Sequence, residues 1–548
     1  MRAVLFAALL AVYSGAATAA EIDGRRVLAD VQELSSDAYL GRGPASEGED
    51  KIVALLIERM TSAGLKPGGD LSPSGERAWT QDVPLARFRT DGPVAVAVRM
   101  ADKVQDWVQG EQIAIRAAQT GQDRVTIKDA PVVFVGYGVR APERGWDDFK
   151  GVDLKGKVAL VLINDPDLEG GEGDFGGRAM TYYGRWTYKF EEAARQGAVG
   201  FLVIHETEPA SYGWPTVRNS NVDDIFDVVR PDPAAAHAPL EGWIQRDAAH
   251  AMLRAAGLDL DRLKAQARTR AFRPVELSGV AFSADYGVKV HKVVSRNVVG
   301  VLEGARRPEE RVIYTSHWDH LGVGVPDANG DRIYNGARDN ASGVALLIEL
   351  GRAFARGKRP DRSVVFLAVT AEEKGLLGST YYVETPLYPL ETTVGVLNMD
   401  SVGVGWLARD FSTSGNAALT LQDDLIAVGA RAGRRYSPDA SPEAGLFFRS
   451  DHFPFAKAGV PAISFTGGQD LIEGGRDAGA ARQIAYNTMR YHQPADEFDA
   501  AWDPRVAEAD GALLLELGRK LANSTAWPEW KPGSEFKAAR DASAAARR

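Results

Sequence analysis

Two hydrophobic patterns alternate along the chain from residue 286 to about residue 525: short apolar runs, and longer segments with apolar residues at helical spacing. The apolar runs predict β-strands at 297–302, 311–316, 363–369, 394–398 and 461–466. The longer segments predict α-helices at 343–355, 376–384, 422–432 and 504–523. Strands and helices that alternate in this way predict an α/β domain with a mostly parallel central sheet and helices on both faces.

A different pattern occupies residues 111–285. Short apolar strands are predicted at 130–136, 157–164 and 199–205, and turn-rich loops separate them. We therefore expect a β-rich domain inserted at 111–285, followed by the main α/β domain at 286–525. Residues 21–110 hold a helix pair and a strand that cannot form a core alone, so we assign them to the α/β domain as its N-terminal part; 21–110 and 286–525 together are called the catalytic region below, for the chemistry that their motifs predict.

The two ends of the chain have patterns of their own. Arg2 precedes the apolar run 3–12, and small residues end at 17–20, which is typical of a secretory signal peptide at 1–20. We therefore expect an exported protein, periplasmic or extracellular. No other apolar stretch approaches the ~18 residues of a membrane span, so no stable membrane anchor is expected. Residues 526–548 lack apolar periodicity and predict a mobile tail.

Charge and cysteine content exclude several classes of function. The formal net charge is −10, so no basic field would attract nucleic acid. The chain has no cysteine, which excludes disulfides, thiol catalysis and thiolate metal sites. Any metal ion must therefore be held by histidine and carboxylate side chains.

Such side chains occur in short motifs that follow the predicted strands. The motifs are S-H-W-D-H-L-G at 316–322, N-G-A-R-D-N-A-S-G at 335–343, T-A-E-E-K-G at 370–375, L-N-M-D-S-V-G at 397–403 and R-Y-H-Q-P-A-D-E at 490–497. Ligands of open α/β sheets bind outside the carboxyl ends of the strands, so we expect the motifs to converge at one site.

The motifs together offer the ligand set of a two-metal hydrolase. Two divalent ions that lie close together need a bridging carboxylate and further ligands on each ion. Asp339 suits the bridge. His317 and Asp400 would complete the ligand set of one ion, and Glu373 and His492 would complete that of the other. Nitrogen and oxygen ligands without sulfur suit zinc first.

Three other side chains in these motifs are candidates for catalysis or support. Glu372 is adjacent to a ligand without being one, so it is placed to act as general base on the attacking water. Asp319 can hold the second ring nitrogen of His317 and fix its tautomer. His320 is expected to lie behind the ligands or at the surface. In R-S-D-H-F at 449–453, Asp451 and His452 belong either to a substrate-side loop or to a structural one.

In this order the motifs resemble those of the co-catalytic zinc exopeptidases, which include bacterial leucyl aminopeptidases and glutamate carboxypeptidase II. The resemblance covers roughly 295–523 and the N-terminal helices. It implies two zinc ions per chain on the five ligands above, peptide substrates, and Glu372 as general base and then acid. It also implies that Tyr491 stabilises the oxyanion.

The insert resembles the protease-associated domain that several peptidase families carry. The matching features are Y-G-V at 137–139, D-F-K-G-V-D-L-K-G-K-V-A-L-V at 148–161 and K-F-E-E-A-A-R-Q-G-A-V-G-F-L-V-I at 189–204. The resemblance implies a lid or a partner surface without chemistry of its own.

These observations predict an exported di-zinc metallopeptidase and favour an aminopeptidase. A carboxypeptidase- or dipeptidase-like member is one alternative, and it would need a basic pocket to which Arg338 and Arg449 are candidates to contribute. A glutaminyl cyclase with one zinc ion is another. A receptor-like binding protein with this fold and no catalysis is a third.

Overall fold

The structure is a computed structural model that describes residues 21–222, 224–415 and 417–547. The signal peptide predicted at 1–20 lies outside the described residues. Within the described ranges, no helix is long and apolar enough to cross a membrane.

The described chain forms β-strands in both the catalytic region and the insert. They are β1 Lys66–Pro67, β2 Thr80–Met100, β3 Lys103–Trp107, β4 Ile113–Ile115, β5 Arg124–Phe134, β6 Arg140–Ala141, β7 Trp146–Asp147, β8 Val158–Leu162, β9 Gly200–His205, β10 Ile225–Val228, β11 Leu240–Gln245, β12 Val275–Leu302, β13 Arg307–His317, β14 Gly322–Val323, β15 Ile333–Tyr334, β16 Arg362–Val369, β17 Thr393–Met399, β18 Asp410–Thr413, β19 Arg435–Tyr436 and β20 Ala462–Gly467.

The described chain also forms α-helices in both parts. They are α1 Gly24–Leu34, α2 Glu47–Ser62, α3 Trp186–Gln196, α4 Thr207–Ala210, α5 Trp214–Val222, α6 Arg246–Ala255, α7 Leu260–Ala267, α8 Ser342–Arg356, α9 Leu377–Glu384, α10 Thr420–Arg431, α11 His452–Lys457, α12 Gly475–Met489, α13 Pro504–Asn523 and α14 Lys537–Ala542. Sequence patterns predicted α8, α9, α10 and α13, whereas α12 was not predicted.

Most strands join one large sheet in the order β19-β18-β20-β17-β13-β16-β12-β5-β8-β9-β11-β4. In the catalytic region, β13 pairs in parallel with β16 and β17, and β17 pairs in parallel with β20. In the insert, β5, β8, β9 and β11 also pair in parallel. The predicted α/β class with a mostly parallel central sheet is confirmed.

Strand β12 connects the two regions. Its last residues pair with β16, and its earlier residues pair with β5 and along most of their length with β2. The domain boundary predicted between residues 285 and 286 falls inside β12, so the two regions share a strand at this point.

Helix α8 lies in the core of the catalytic region. Its sequence, S-G-V-A-L-L-I-E-L-G-R-A-F-A-R, is apolar almost all round, and a helix of that kind must be covered on every side. The sheet, α1 and α13 cover it, and residues Val344–Leu350 are all buried. This packing fixes the start of α8, which directly follows the motif 335–343.

The C-terminal residues differ from the predicted mobile tail. Trp530 and Phe536 are buried, and the Phe536 ring stacks on Phe447 at 5.9 Å between centroids. The Trp530 indole also donates to the Gly459 carbonyl at 2.9 Å. Two isolated aromatic side chains anchor this segment, and such anchors leave no periodic pattern in the sequence.

Candidate metal centre and active site

Three parallel strand ends bring the predicted ligands together. Strand β13 ends at His317, the turn after β16 carries Glu372 and Glu373, and Asp400 directly follows β17. Because β16, β13 and β17 are neighbours in the sheet, their carboxyl ends place these side chains side by side. Asp339, the predicted bridging ligand, lies in the loop before α8.

His317, Asp339 and Asp400 form the first group of possible ligands. The Nε2 atom of His317 lies 3.4 Å from Asp339 Oδ1 and 3.6 Å from Asp400 Oδ1. This nitrogen is buried and has no hydrogen-bond partner of proper geometry among the described residues. The other ring nitrogen lies 3.1 Å from the main-chain carbonyl of Asp319.

Asp339, Glu373 and His492 form the second group. The Nε2 atom of His492 lies 3.3 Å from Asp339 Oδ2 and 3.1 Å from Glu373 Oε2. The two carboxylate oxygens of Asp339 therefore face different groups, Oδ1 toward His317 and Oδ2 toward His492. This is the arrangement that a bridging ligand requires.

His320 belongs to the second group, although sequence reasoning expected it behind the ligands or at the surface. It is completely buried, and its Nδ1 lies 2.7 Å from Glu373 Oε1. Its Nε2 has no hydrogen-bond partner in the described part of the chain. His320, Asp339 and Glu373 are close enough to hold one ion together. The sequence feature that could have indicated this role is the position of His320, three residues after His317 in the turn that follows β13.

The carboxylate of Asp319 has a different neighbour from the one predicted. It lies 3.8 Å from His317 Nδ1, beyond hydrogen-bonding distance. It accepts instead from the backbone N–H of Glu372 at 3.0 Å and of Glu373 at 3.4 Å. Asp319 thus fixes the turn that carries the predicted base and its neighbouring ligand.

Sequence reasoning missed two buried residues that hold the cluster in place. Arg42 comes from the N-terminal segment and donates to the carbonyls of Trp318 at 2.8 Å and Gly336 at 2.9 Å. Asp496 accepts from the backbone N–H of Asp339 at 3.0 Å. Both link segments that are far apart in sequence; Asp496 lies in the motif 490–497, whereas no motif includes Arg42.

The charges of the cluster fit a bound cation. Removal from water raises the pKa of Glu372 well above its usual value, and Glu373 and Asp451 add to the rise while His317 opposes it. Burial likewise raises the pKa of Asp319 to about 7. Crowded carboxylates beside histidine nitrogens without partners form a donor set of oxygen and nitrogen that suits zinc or a similar divalent ion.

A cavity of about 1040 Å³ opens beside this cluster and is lined by Asp339, Glu372, Asp400 and His492. Insert residues such as Tyr212 and Asn221 line its other side, so the insert contributes a wall. The cavity lies at the carboxyl ends of the parallel strands, where open α/β sheets bind their ligands.

The other predicted residues take different places around the cavity. Tyr491 lines it, is 44% exposed, and stacks its ring on His492 at 3.9 Å between centroids. Asp451 and His452 are completely buried and do not line it. Asp451 accepts from the Ser379 hydroxyl at 2.6 Å, and His452 packs edge-on against Phe447. These contacts favour the structural alternative for both residues.

Comparison with known proteins finds a match to a family model within the second half of the chain. Residues 297–517 match Peptidase family M28. A "Probable zinc metalloprotease" of Pyricularia oryzae is 38% identical over 130 residues, which are 24% of this chain and 24% of that protein. The mouse (Mus musculus) protein "Aminopeptidase NAALADL1" is 38% identical over 272 residues, which are 41% of this chain and 32% of that protein.

The chain thus spans about a quarter to a third of the length of these two relatives. Among solved structures, the aminopeptidase from Aneurinibacillus sp. strain AM-1 is similar with a TM-score of 0.49 and 20% identity. That alignment covers 93% of this chain and 97% of the other.

Proposed function

We propose that the protein is a zinc metallopeptidase of Peptidase family M28, whose model residues 297–517 match, and that it removes N-terminal residues from peptides. One observation carries the proposal: the two carboxylate oxygens of Asp339 face two separate groups of histidine and carboxylate side chains. The neighbouring cavity of about 1040 Å³ is large enough for a short peptide.

We assign the metal ligands as the sequence predicted them, with one addition. Asp339 would bridge, His317 and Asp400 would hold one zinc ion, and Glu373 and His492 the other. His320 Nε2 is a further donor beside the second ion. Bound zinc would polarise the scissile carbonyl and make the attacking water more acidic.

The chain's own groups carry the proton transfers. The Glu372 carboxylate takes a proton from the attacking water and later gives it to the leaving amine. Burial raises the pKa of Glu372, which makes this carboxylate a stronger base than an exposed one. Asp319 holds the Glu372 backbone in place, and the Tyr491 hydroxyl donates to the oxyanion that develops on the carbonyl.

Two further parts of the proposal concern the rest of the chain. The insert at 111–285 serves as a wall of the substrate cavity, as the positions of Tyr212 and Asn221 indicate. The pattern of residues 1–20 favours export, and N-terminal sequencing of the protein from the periplasm or the medium tests it.

The test combines metal content with hydrolysis of aminoacyl nitroanilides by the wild type and Glu372→Ala. We expect two zinc ions per chain in both proteins and a loss of about 10²–10⁴-fold in kcat for the variant. N-acetylated peptides serve as the matched substrate, because a blocked amine should prevent cleavage by an aminopeptidase.

Other outcomes would support a different function or contradict the proposed mechanism. One zinc ion per chain with cyclisation of N-terminal glutamine would support a glutaminyl cyclase. Cleavage of N-acetylated peptides at the C-terminus would support a carboxypeptidase. A chain that binds no zinc, or full activity in Glu372→Ala, would contradict the proposed mechanism.

A further inference from the structure

The arginines of the cavity fall into two sets. In the described part of the chain, the arginines that line the cavity are Arg338, Arg434, Arg449, Arg476 and Arg482. Arg434 and Arg476 each have an aspartate within 4 Å, at 2.8 Å and 3.7 Å. Arg338, Arg449 and Arg482 form no ion pair with any carboxylate in the described ranges. Three cationic groups of the cavity therefore lack a counter-charge.

Arg338 and Arg482 are held by aromatic faces. The Arg338 guanidinium carbon lies 4.2 Å from the centre of the Tyr486 ring, and that of Arg482 lies 3.9 Å from the centre of the Trp406 ring. The Arg338 guanidinium gives one hydrogen bond, to the Gln483 side chain at 2.9 Å, and its Nε has no partner in the described ranges. Stacking fixes the plane of a guanidinium while leaving its in-plane N–H donors available to a ligand.

Arg449 has a different role from these two. Its Nη2 donates to the Ser211 hydroxyl at 2.7 Å and to the Ala444 carbonyl at 2.6 Å. Arg449 thus ties the insert to the loop before α11, and its donors are partly used. We therefore leave it out of the pair that remains free for a ligand.

The acidic residues of the cavity wall do not neutralise this pair. Asp510 pairs with Arg434, and Asp410 accepts from the Ser437 hydroxyl at 2.6 Å. Asp439 accepts backbone N–H groups instead. Because the whole chain carries a formal charge of −10, two arginines without a carboxylate partner in the same cavity as Asp339 and Glu372 are a local feature of this wall.

We propose that Arg338 and Arg482 form a carboxylate-binding subsite, so that preferred substrates carry a carboxylate close to the scissile bond. The inference rests on the peptidase function proposed above. A guanidinium fork matches the two oxygens of a carboxylate, and such charge-assisted hydrogen bonds are strong. Arg338 directly precedes Asp339, which places the subsite next to the metal-facing cluster. The carboxylate belongs either to an acidic side chain or to a free C-terminus.

Three pairs of dipeptides separate these sources, with kcat/KM measured for each. Glu-Ala-amide against Gln-Ala-amide tests an acidic side chain before the scissile bond. Ala-Glu-amide against Ala-Gln-amide tests one after it. Ala-Ala against Ala-Ala-amide tests the C-terminal carboxylate. We expect a preference of at least about tenfold for the carboxylate in one pair, which corresponds to one charge-assisted interaction.

The variants Arg338→Gln and Arg482→Gln should each lower that preference about tenfold, and Arg482→Lys should restore part of it. Arg482→Glu should reverse it in favour of the corresponding lysine substrate. Arg476→Gln is the matched control: it lines the same cavity but already has Asp410 as partner, so the preference should stay at the wild-type value.

The ratio of two substrates is internal to each protein, so partial loss of folded enzyme does not affect it. Ratios within twofold of one in all three pairs would overturn the subsite, as would an unchanged preference in both Gln variants. In either case continued hydrolysis of neutral dipeptides would leave the proposed peptidase function intact. Failure to hydrolyse any peptide would instead overturn that function and the subsite with it.

Discussion

Buried polar groups have opposite surroundings in the insert and at the strand ends that carry the candidate metal ligands. In the insert, Lys189 is completely buried and its ammonium group donates to the carbonyls of Tyr137, Asn164 and Tyr183. At the strand ends, the Nε2 atoms of His317 and His320 are equally buried and have no partner in the described ranges. Saturated polar groups stabilise a fold, whereas unsaturated histidine nitrogens beside several carboxylates, as at His317 and His320, fit a site that a ligand completes.

The Lys189 network also shows what burial does without a ligand. Burial lowers the pKa of Lys189 to about 7, although Asp148 and Asp165 oppose the shift. The charge is tolerated because each of the three donors has an acceptor. No atom is left for a substrate, so this cluster is structural.

The largest expected effect tests the structural role of the Lys189 network. Lys189→Met leaves three buried carbonyls without a donor, so we expect a loss of about 2–5 kcal/mol in the free energy of unfolding. Urea unfolding followed by tryptophan fluorescence measures it. Lys155→Met, at an exposed lysine of the same region, should stay within ~0.5 kcal/mol of the wild type. Equal stability of both variants would contradict the assignment of Lys189.

The second prediction tests the proposed metal centre. His320→Ala removes a buried nitrogen donor beside Glu373, so we expect zinc affinity to fall about 10–100-fold, whether His320 binds zinc directly or orients Glu373. Competition with a chromophoric chelator measures the affinity. His291→Ala changes an exposed histidine and should leave it unchanged. A His320→Ala protein with wild-type affinity would show that this residue is not part of the metal centre.

The smallest expected effect concerns the pH dependence of the insert. Burial opposes the charge of His237, but Glu241 and Asp227 outweigh it and raise the pKa of His237 to about 9. Because this folded-state pKa lies above that of the unfolded chain, the contribution to stability is complete below about pH 6.5 and is lost as pH rises through 9. The wild type should therefore lose on the order of 1 kcal/mol more than His237→Gln between pH 6 and pH 10.

Urea unfolding of both proteins across this pH range measures the difference. Parallel curves for the wild type and His237→Gln would contradict the ion-pair account. If the free energy of unfolding of the wild type alone rose between pH 6.5 and 9, the predicted direction of the pH dependence would be wrong.

Local patterns predicted the site because its residues follow strands. His317 is the last residue of β13, and Asp400 comes directly after β17, so strand prediction alone placed both at one edge of the sheet. The turn with Glu372 and Glu373 follows β16 in the same way. The roles of these residues as ligands and base stay predictions that the proposed measurements test.

Contacts between distant segments were not predictable in this way. Arg42 lies far from the motifs in sequence, yet it donates to the carbonyls of Trp318 and Gly336. The burial of His320 and the anchoring of the tail by Trp530 likewise depend on packing that no sequence period records. Burial of this kind is set by tertiary structure.

The continuous strand β12 also limits how this protein can be recombined. A chimera that exchanged residues 111–285 for the insert of a relative would cut β12 within its pairing with β5, before its pairing with β16 begins. Crossovers before Thr80 and after Leu302 would instead move the strand as a whole together with its partner β2. In this chain the insert is inherited together with the edge of the catalytic sheet, and the cavity wall that it supplies is inherited with it.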